Sequence, residues 1–115
     1  MNTPKYLLQN VEKYPNEPAL SIKDGSGNWQ TKTWNEFHSS VSEISKALIA
    51  SGINKNDKVS IYSYNRVEWN VCYLAAQMIN SVAVGVYHTC SSDEVNWIVG
   101  NSDSKIVFLG NNPND

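Results

Sequence analysis

Apolar positions along this chain recur at two periods that alternate from end to end. Leu7, Leu8, Val11 and Tyr14 are spaced by three and four residues, the period that lines one face of a helix. Thr3-Pro4 in front of them is a start signal, with Thr3 as N-cap and proline at the first helical position, and Pro15 is a stop. Two β-prone runs follow, Ala19 to Lys23 and Trp29 to Thr33, around the turn cluster Asp24-Gly25-Ser26-Gly27-Asn28, whose glycines can take positive φ. That combination predicts a hairpin. Thr33-x-x-Glu36 is a capping box for a longer helix with Phe37, Val41, Ile44 and Leu48 on one face and Gly52 as its left-handed terminator.

From residue 58 onward strands and helices interleave. Lys58 to Tyr64 reads as a strand, Asn65-x-x-Glu68 as the cap of a helix bearing Val67, Val71, Leu74 and Met78, and Val82 to Tyr87 as a continuous apolar strand. Ser91-x-x-Glu94 is a third capping box, opening a helix with Val95, Ile98 and Val99, and Lys105 to Gly110 is a last apolar strand before the polar tail Asn111 to Asp115, which is expected to be loose. Continuous apolar runs suit strands buried on both faces. The expected class is α/β: a mainly parallel sheet built from βαβ units with flanking helices, preceded by a helix and a β-hairpin. Its last strand, Ile106 to Leu109, stands six residues from the end of the sequence. An apolar edge is a liability, so the expectation is that more sheet follows in a longer protein and that the exposed edge is a place for self-association.

Composition narrows the class of partner. The 115 residues carry a net charge of −2 with 41% hydrophobic and 17% charged positions, and no run of Lys or Arg. One domain with a real core is expected, and nucleic acid is excluded as a partner for want of a basic footprint. Cys72 and Cys90 form no CxxC pair, no N-glycosylation triplet occurs, and Leu7-Leu8 is too short for a signal core or a membrane span. The expected location is cytoplasmic.

Candidate chemistry is sparse. No Walker loop and no Gly-x-Ser-x-Gly elbow occurs, and Gly25-Ser26-Gly27 lies between strands, where a dinucleotide fingerprint has no helix to open. His88, Cys90 and Asp93 offer three of the four ligands a structural zinc site needs, so no metal site is expected, and no catalytic residue is assigned. The four tryptophans lack interleaved basic residues and read as packing residues. The segment Gly85 to Glu94 is different, because it is a strand end running into a capped helix, and in open parallel sheets ligands gather beyond the carboxyl ends of strands.

At this segment the sequence resembles a known family. Asp57-Lys58-Val59-Ser60-Ile61, Asn65-Arg66-Val67-Glu68-Trp69, Leu74-Ala75-Ala76, Val82 to Tyr87 with Thr89, Ser91 to Val95 and Ser104 to Val107 stand in the order and spacing of the N-terminal subdomain of AMP-forming acyl-CoA synthetases. Asn-Arg-x-Glu-Trp and Val-Gly-Val-Tyr-x-Thr look most like the long-chain fatty acyl-CoA ligases, including the bubblegum-type branch, and Thr33-Trp34-Asn35-Glu36-Phe37 is similar to the family's Thr-Tyr-x-Glu-Leu. The resemblance implies that residues 1–115 are an N-terminal fragment of the adenylation domain. It implies a fatty acid, ATP with Mg, and CoA as the parent protein's substrates and cofactors, none held tightly by this fragment, and a parent that is cytoplasmic or peripheral at an organelle membrane. The family's phosphate loop, adenine motif, ribose-binding Asp and lid lysine are absent, so the chain alone is expected to be inactive.

The resemblance carries one site over. Tyr87, His88 and Thr89 match a strand end that lies near the CoA nucleotide in related enzymes, where an aromatic ring can stack on adenine and a histidine or helix N-terminus can meet a phosphate. Asn80-Ser81 stands where many relatives have two glycines, and Ser92 where proline is usual. Shifted turns, with Asn in left-handed geometry and Ser opening a helix, are expected in place of a different fold. The alternative is a free-standing, non-catalytic α/β module that binds a nucleotide or a protein.

Overall fold

A computed structural model describes residues 2–111. The element order is α1 (Thr3–Lys13), β1 (Pro18–Lys23), β2 (Trp29–Thr33), α2 (Trp34–Ala50), β3 (Lys58–Ser63), α3 (Val67–Met78), β4 (Val82–Val86), α4 (Ser92–Ser102) and β5 (Ile106–Gly110). β1 and β2 pair antiparallel, with Asp24 organising the turn: its carboxylate accepts from the Ser26 and Asn28 amides and from the Gln30 side chain. Of the two turn glycines only Gly27 takes positive φ (+82°). β3, β4 and β5 form a second, parallel sheet in the order β4-β3-β5.

Helix ends account for most of the local differences from expectation. α1 is capped by Asn2, whose side-chain oxygen accepts from the Lys5 amide, one residue earlier than Thr3-Pro4 suggested. Leu7 is buried, while Leu8 and Tyr14 stay exposed, so the buried stripe is narrower than the apolar spacing implied. The Thr33/Glu36 and Ser91/Glu94 capping boxes are both complete. The expected Asn65 cap is not made, because Arg66 is the extended N-cap residue of α3 and no side chain caps the helix.

Each of the last three helices ends in the same way. At Gly52 (φ +90°), Asn80 (φ +60°) and Asp103 (φ +58°) the chain turns left-handed. Paired bonds then close the last turn: Gly52 N–H to Ile49 O with Ile53 N–H to Leu48 O, Asn80 N–H to Gln77 O with Ser81 N–H to Ala76 O, and Asp103 N–H to Gly100 O with Ser104 N–H to Val99 O. This is the Schellman pattern. Asn80 takes the left-handed geometry expected of it.

The core lies between the parallel sheet and helices α1 to α3. Leu7, Phe37, Val41, Leu48, Val59, Val71, Ala75 and Ala76 are buried together, with Ala83, Ile106 and Phe108 packed against them from the neighbouring strands. Ser45 donates across this layer to Ala75 O (3.2 Å), which satisfies the one polar group α2 buries. The opposite sheet face meets α4. There Ser60, with no accessible surface, bonds to the Ser104 hydroxyl (2.6 Å) just after α4.

That second layer is thin. α4 buries no residue completely, and on β4 and β5 the side chains of Val82, Val107 and Leu109 remain exposed, Leu109 by 76%. Only β3 is covered on both faces. The residues 112–115 of the expected loose tail lie outside the described residues, but Asn111 is held: Arg66 Nη1 donates to its side-chain oxygen (3.1 Å) and Arg66 Nε to Glu68 (2.9 Å).

Two predictions follow from how β5 is attached. A Cβ on Gly110 would overlap Ser63 Oγ and stand 2.8 Å from Ser63 Cβ, so Gly110→Ala is expected to cost about 1–3 kcal/mol; urea unfolding reads this, and adding Ser63→Gly should recover most of it. At the other end of the strand, Asp57 accepts from the Asn54 amide (2.7 Å) and pairs with Lys105 (3.1 Å). The amide bond first, and the ammonium second, hold its carboxyl below the usual carboxylate range. Its contribution is therefore present above the ordinary carboxylate pKa and disappears as pH falls through the lowered value. The stability gap between the wild type and Asp57→Asn, measured by denaturation across pH 2–7, should narrow to nothing at the acid end.

Candidate functional site

Connections leaving neighbouring strands in opposite directions open a cleft between them. β3 continues into α3 on the core side of the sheet, whereas β4 must return past β3 to reach β5, which carries α4 to the other side. The loops after β3 and β4 therefore part at the carboxyl ends of adjacent strands, the position where open α/β sheets bind ligands.

A cleft of about 470 Å³ lies there, within the range of small-molecule sites. Ser63 and Asn65 line it from the end of β3, Trp69 from α3, and Gly85 to His88 from β4 and the following loop. Gly85 faces α3, and a Cβ on it would stand 3.4 Å from the Trp69 ring. Trp69 is itself stacked on Tyr73, one helical turn on, with centroids 5.4 Å apart and planes at 19°. Across the mouth, His88 stacks on Tyr64 with centroids 4.3 Å apart and planes at 26°.

Of the three residues singled out in the sequence, Tyr87 and His88 line this cleft, and Tyr87 is 80% exposed. Thr89 is exposed in the turn closed by the Cys90 amide on Tyr87 O (3.1 Å) and is not among the lining residues. The N-terminus of α4 beyond it is partly committed to its own side chains. Ser91 and Glu94 satisfy each other's backbone amides, and Asp93 adds a second carboxylate to the first turn. Among the described residues no three His, Cys, Asp or Glu side chains converge as metal ligands, and His88, Cys90 and Asp93 form no such set.

A second, smaller cleft of about 220 Å³ lies on the other side of Trp69, bounded by Arg66, Cys72, Phe108 and Gly110. Ser63 and Trp69 belong to both clefts, so the indole is the partition between them. Burial, and then the nearby Glu68 carboxylate, push the Cys72 thiol up to about 11.

The geometry of this sheet and the strings along it have counterparts. The family model described as AMP-binding enzyme matches residues 7–115. The chain belongs to the AMP-binding enzyme family. Among its curated relatives are the long-chain-fatty-acid–CoA ligase ACSBG2 of Rattus norvegicus, 27% identical over 96% of this chain, and long chain acyl-CoA synthetase 4 of Arabidopsis thaliana, 33% identical over 86%. The solved Mycobacterium tuberculosis fatty acyl CoA synthetase superposes with a TM-score of 0.85 over 98% of the chain at 26% identity. The chain spans 16% of the length of each curated relative and 22% of that solved chain.

Within this AMP-binding fold, Trp69 is the cleft-lining residue that sequence reasoning passed over, and Gly85 was noted only as the start of the strand-end segment. Trp69 looked like packing because its neighbours are not basic, and Gly85 looked like one member of an apolar run. Their joint presence at one cleft depends on β3 and β4 being neighbours. Because Cys72 is buried with a raised pKa and Cys90 is partly exposed, a thiol reagent at pH 8 should modify one cysteine of the native chain quickly and the second only on unfolding; mass mapping is expected to place the fast adduct on Cys90.

Proposed function

We propose that residues 1–115 are the N-terminal part of the adenylation domain of a long-chain fatty acid:CoA ligase. In the complete reaction a fatty acid carboxylate oxygen attacks the α-phosphate of Mg-bound ATP and pyrophosphate leaves. The CoA thiolate then attacks the acyl carbon of the adenylate and AMP leaves. The observation that carries this reading is the match of nearly the whole chain to the AMP-binding family, together with relatives named long-chain-fatty-acid–CoA ligase and long chain acyl-CoA synthetase.

This stretch serves as scaffold for that chemistry. Its described residues contain no carboxylate cluster suited to Mg and its sequence no phosphate loop, so no adenylation step is assigned to them. Tyr87, His88 and Thr89 are proposed contacts of the CoA nucleotide, supported by the place of Tyr87 and His88 at a strand-end cleft. No helix of the described residues is long and apolar enough to cross a membrane, which fits the proposed cytoplasmic or peripheral location. The exposed Val107 and Leu109 on β5 are the surface by which the chain on its own is proposed to self-associate.

An ATP–pyrophosphate exchange assay tests the assignment. The 115-residue chain should give no exchange, and a polypeptide continuing through a whole AMP-binding domain should give exchange that depends on a fatty acid. Exchange by the short chain, or none with any fatty acid in the longer one, would overturn it.

A further inference from the structure

We propose that Arg66 and Asn111 form a latch that keeps the end of β5 closed over the smaller cleft beside Trp69, and that releasing it opens this cleft while the sheet stays folded. The latch concerns the cleft of about 220 Å³ alone and stands or falls independently of the CoA assignment.

Depth in this cleft follows burial. Ile61 and Cys72 line its buried side, Phe108 is half-buried, and Glu68 and Leu109 are exposed at its mouth. Arg66, which follows β3, and Gly110, which ends β5, are half-buried between these extremes. With mainly apolar walls the cleft offers water few partners, so closure is favoured.

The attachment of β5 shows why its end needs holding. In the order β4-β3-β5 it has one strand neighbour, and Leu109 contributes little burial because it is exposed. Few buried contacts and exposed hydrogen bonds mark the parts of a fold that open first. Arg66 supplies the missing hold. A Cβ built on Gly110 would stand 3.4 Å from Arg66 Cδ, so the stem of Arg66 lies against the last residue of the strand. Just beyond, Arg66 Nη1 donates to the side-chain oxygen of Asn111 (3.1 Å) and to its main-chain oxygen (3.3 Å). The guanidinium thus holds both acceptors of the residue that leaves the strand, while its Nε is fixed on Glu68 (2.9 Å). Charge-assisted bonds of this kind are the stronger ones, and these tie the end of β3 to the end of β5 across 45 residues of sequence.

The Cys72 thiol reports the state of the cleft because it lines the buried side. Alkylation of Cys72 by iodoacetamide in the native 115-residue chain, read by peptide mass mapping and set beside the urea stability of the same variant, tests the latch. Reaction by way of global unfolding speeds up only as far as the unfolded population grows, whereas a released latch adds an increase beyond that factor. Arg66→Ala should exceed it by about tenfold or more, the size of a lost hydrogen bond to a charged group, with Cys90 unchanged. Asn111→Ala leaves the Arg66 side chain on the rim and removes one acceptor, so an excess of about threefold or more is expected. Combined with Arg66→Ala it should add nothing, since the two residues act as one unit. Glu68→Gln loses an exposed ion pair and should stay within about twofold of wild type. A wild-type Cys72 rate in Asn111→Ala, an increase in Arg66→Ala no larger than its unfolding factor, or a Glu68→Gln effect as large as that of Arg66→Ala would each overturn the latch. If Arg66→Ala does not fold, Asn111→Ala and Arg66→Lys, which keeps the charge and the bulk but loses the fork, decide it by the same comparison.

Discussion

Ser60 has no accessible surface, and Val59 and Ile61 on either side of it have almost none. Since successive side chains on a strand point to opposite faces, β3 must be covered on both, and the rest of the molecule is arranged to do this. Val59 and Ile61 look toward α3 and the core, and Ser60 looks toward α4. A right-handed crossover can place a helix on only one side for a given direction of travel, so covering both faces of β3 requires the direction to reverse. The reversal occurs after β4. It buries Ser60, and it also separates the two loops that bound the cleft. Core and cleft are consequences of one topological step.

The connections that make this step possible depend on short polar residues. Gly52, Asn80 and Asp103 each end a helix in left-handed geometry. An L-residue other than Gly usually avoids that region, but Asn and Asp tolerate it better than the rest. Asn80 also supplies the carbonyl that accepts from the Asn56 amide (2.9 Å), Asn56 being itself at φ +69°. Two left-handed asparagines thus face each other at the amino end of the sheet, where the chain enters β3 and β4. Asparagine thus has a backbone role at these two positions.

Periodicity and capping strings located every helix and strand to within a residue or two, because these are local signals: Thr33 to Glu36 and Ser91 to Glu94 need only each other. Local signals failed where a competing partner existed. Asn65 looked like a cap, but the extended residue at the start of α3 is Arg66, whose side chain is drawn to Glu68 and Asn111. Burial was less legible than structure type. An apolar run in β4 or β5 says that a strand can be buried on both faces, yet Val82 and Leu109 are exposed because α4 spans only part of its side. The site was half legible. Tyr87 and His88 lie at a strand end that any α/β reading would inspect, whereas Trp69 and Gly85 meet only through the order β4-β3-β5, and no spacing along the chain encodes that order.

The electrostatics of the cleft separate two ideas that a strand-end site usually joins. In many α/β proteins the glycine-rich turn and the helix N-terminus beyond it act together, the one making room and the other holding phosphate. Here room is made by Gly85 within the strand, beside the Trp69 ring, and two amides of the α4 N-terminus are committed to its own Ser91 and Glu94. A complete capping box satisfies amides that an anion would otherwise use, and Asp93 and Glu94 already answer the helix dipole. The same residues that make α4 start cleanly, and so allow it to cover Ser60, make it a poorer anion site. What bounds the strand ends is a set of aromatic groups that are themselves held by stacking: Trp69 on Tyr73 and His88 on Tyr64.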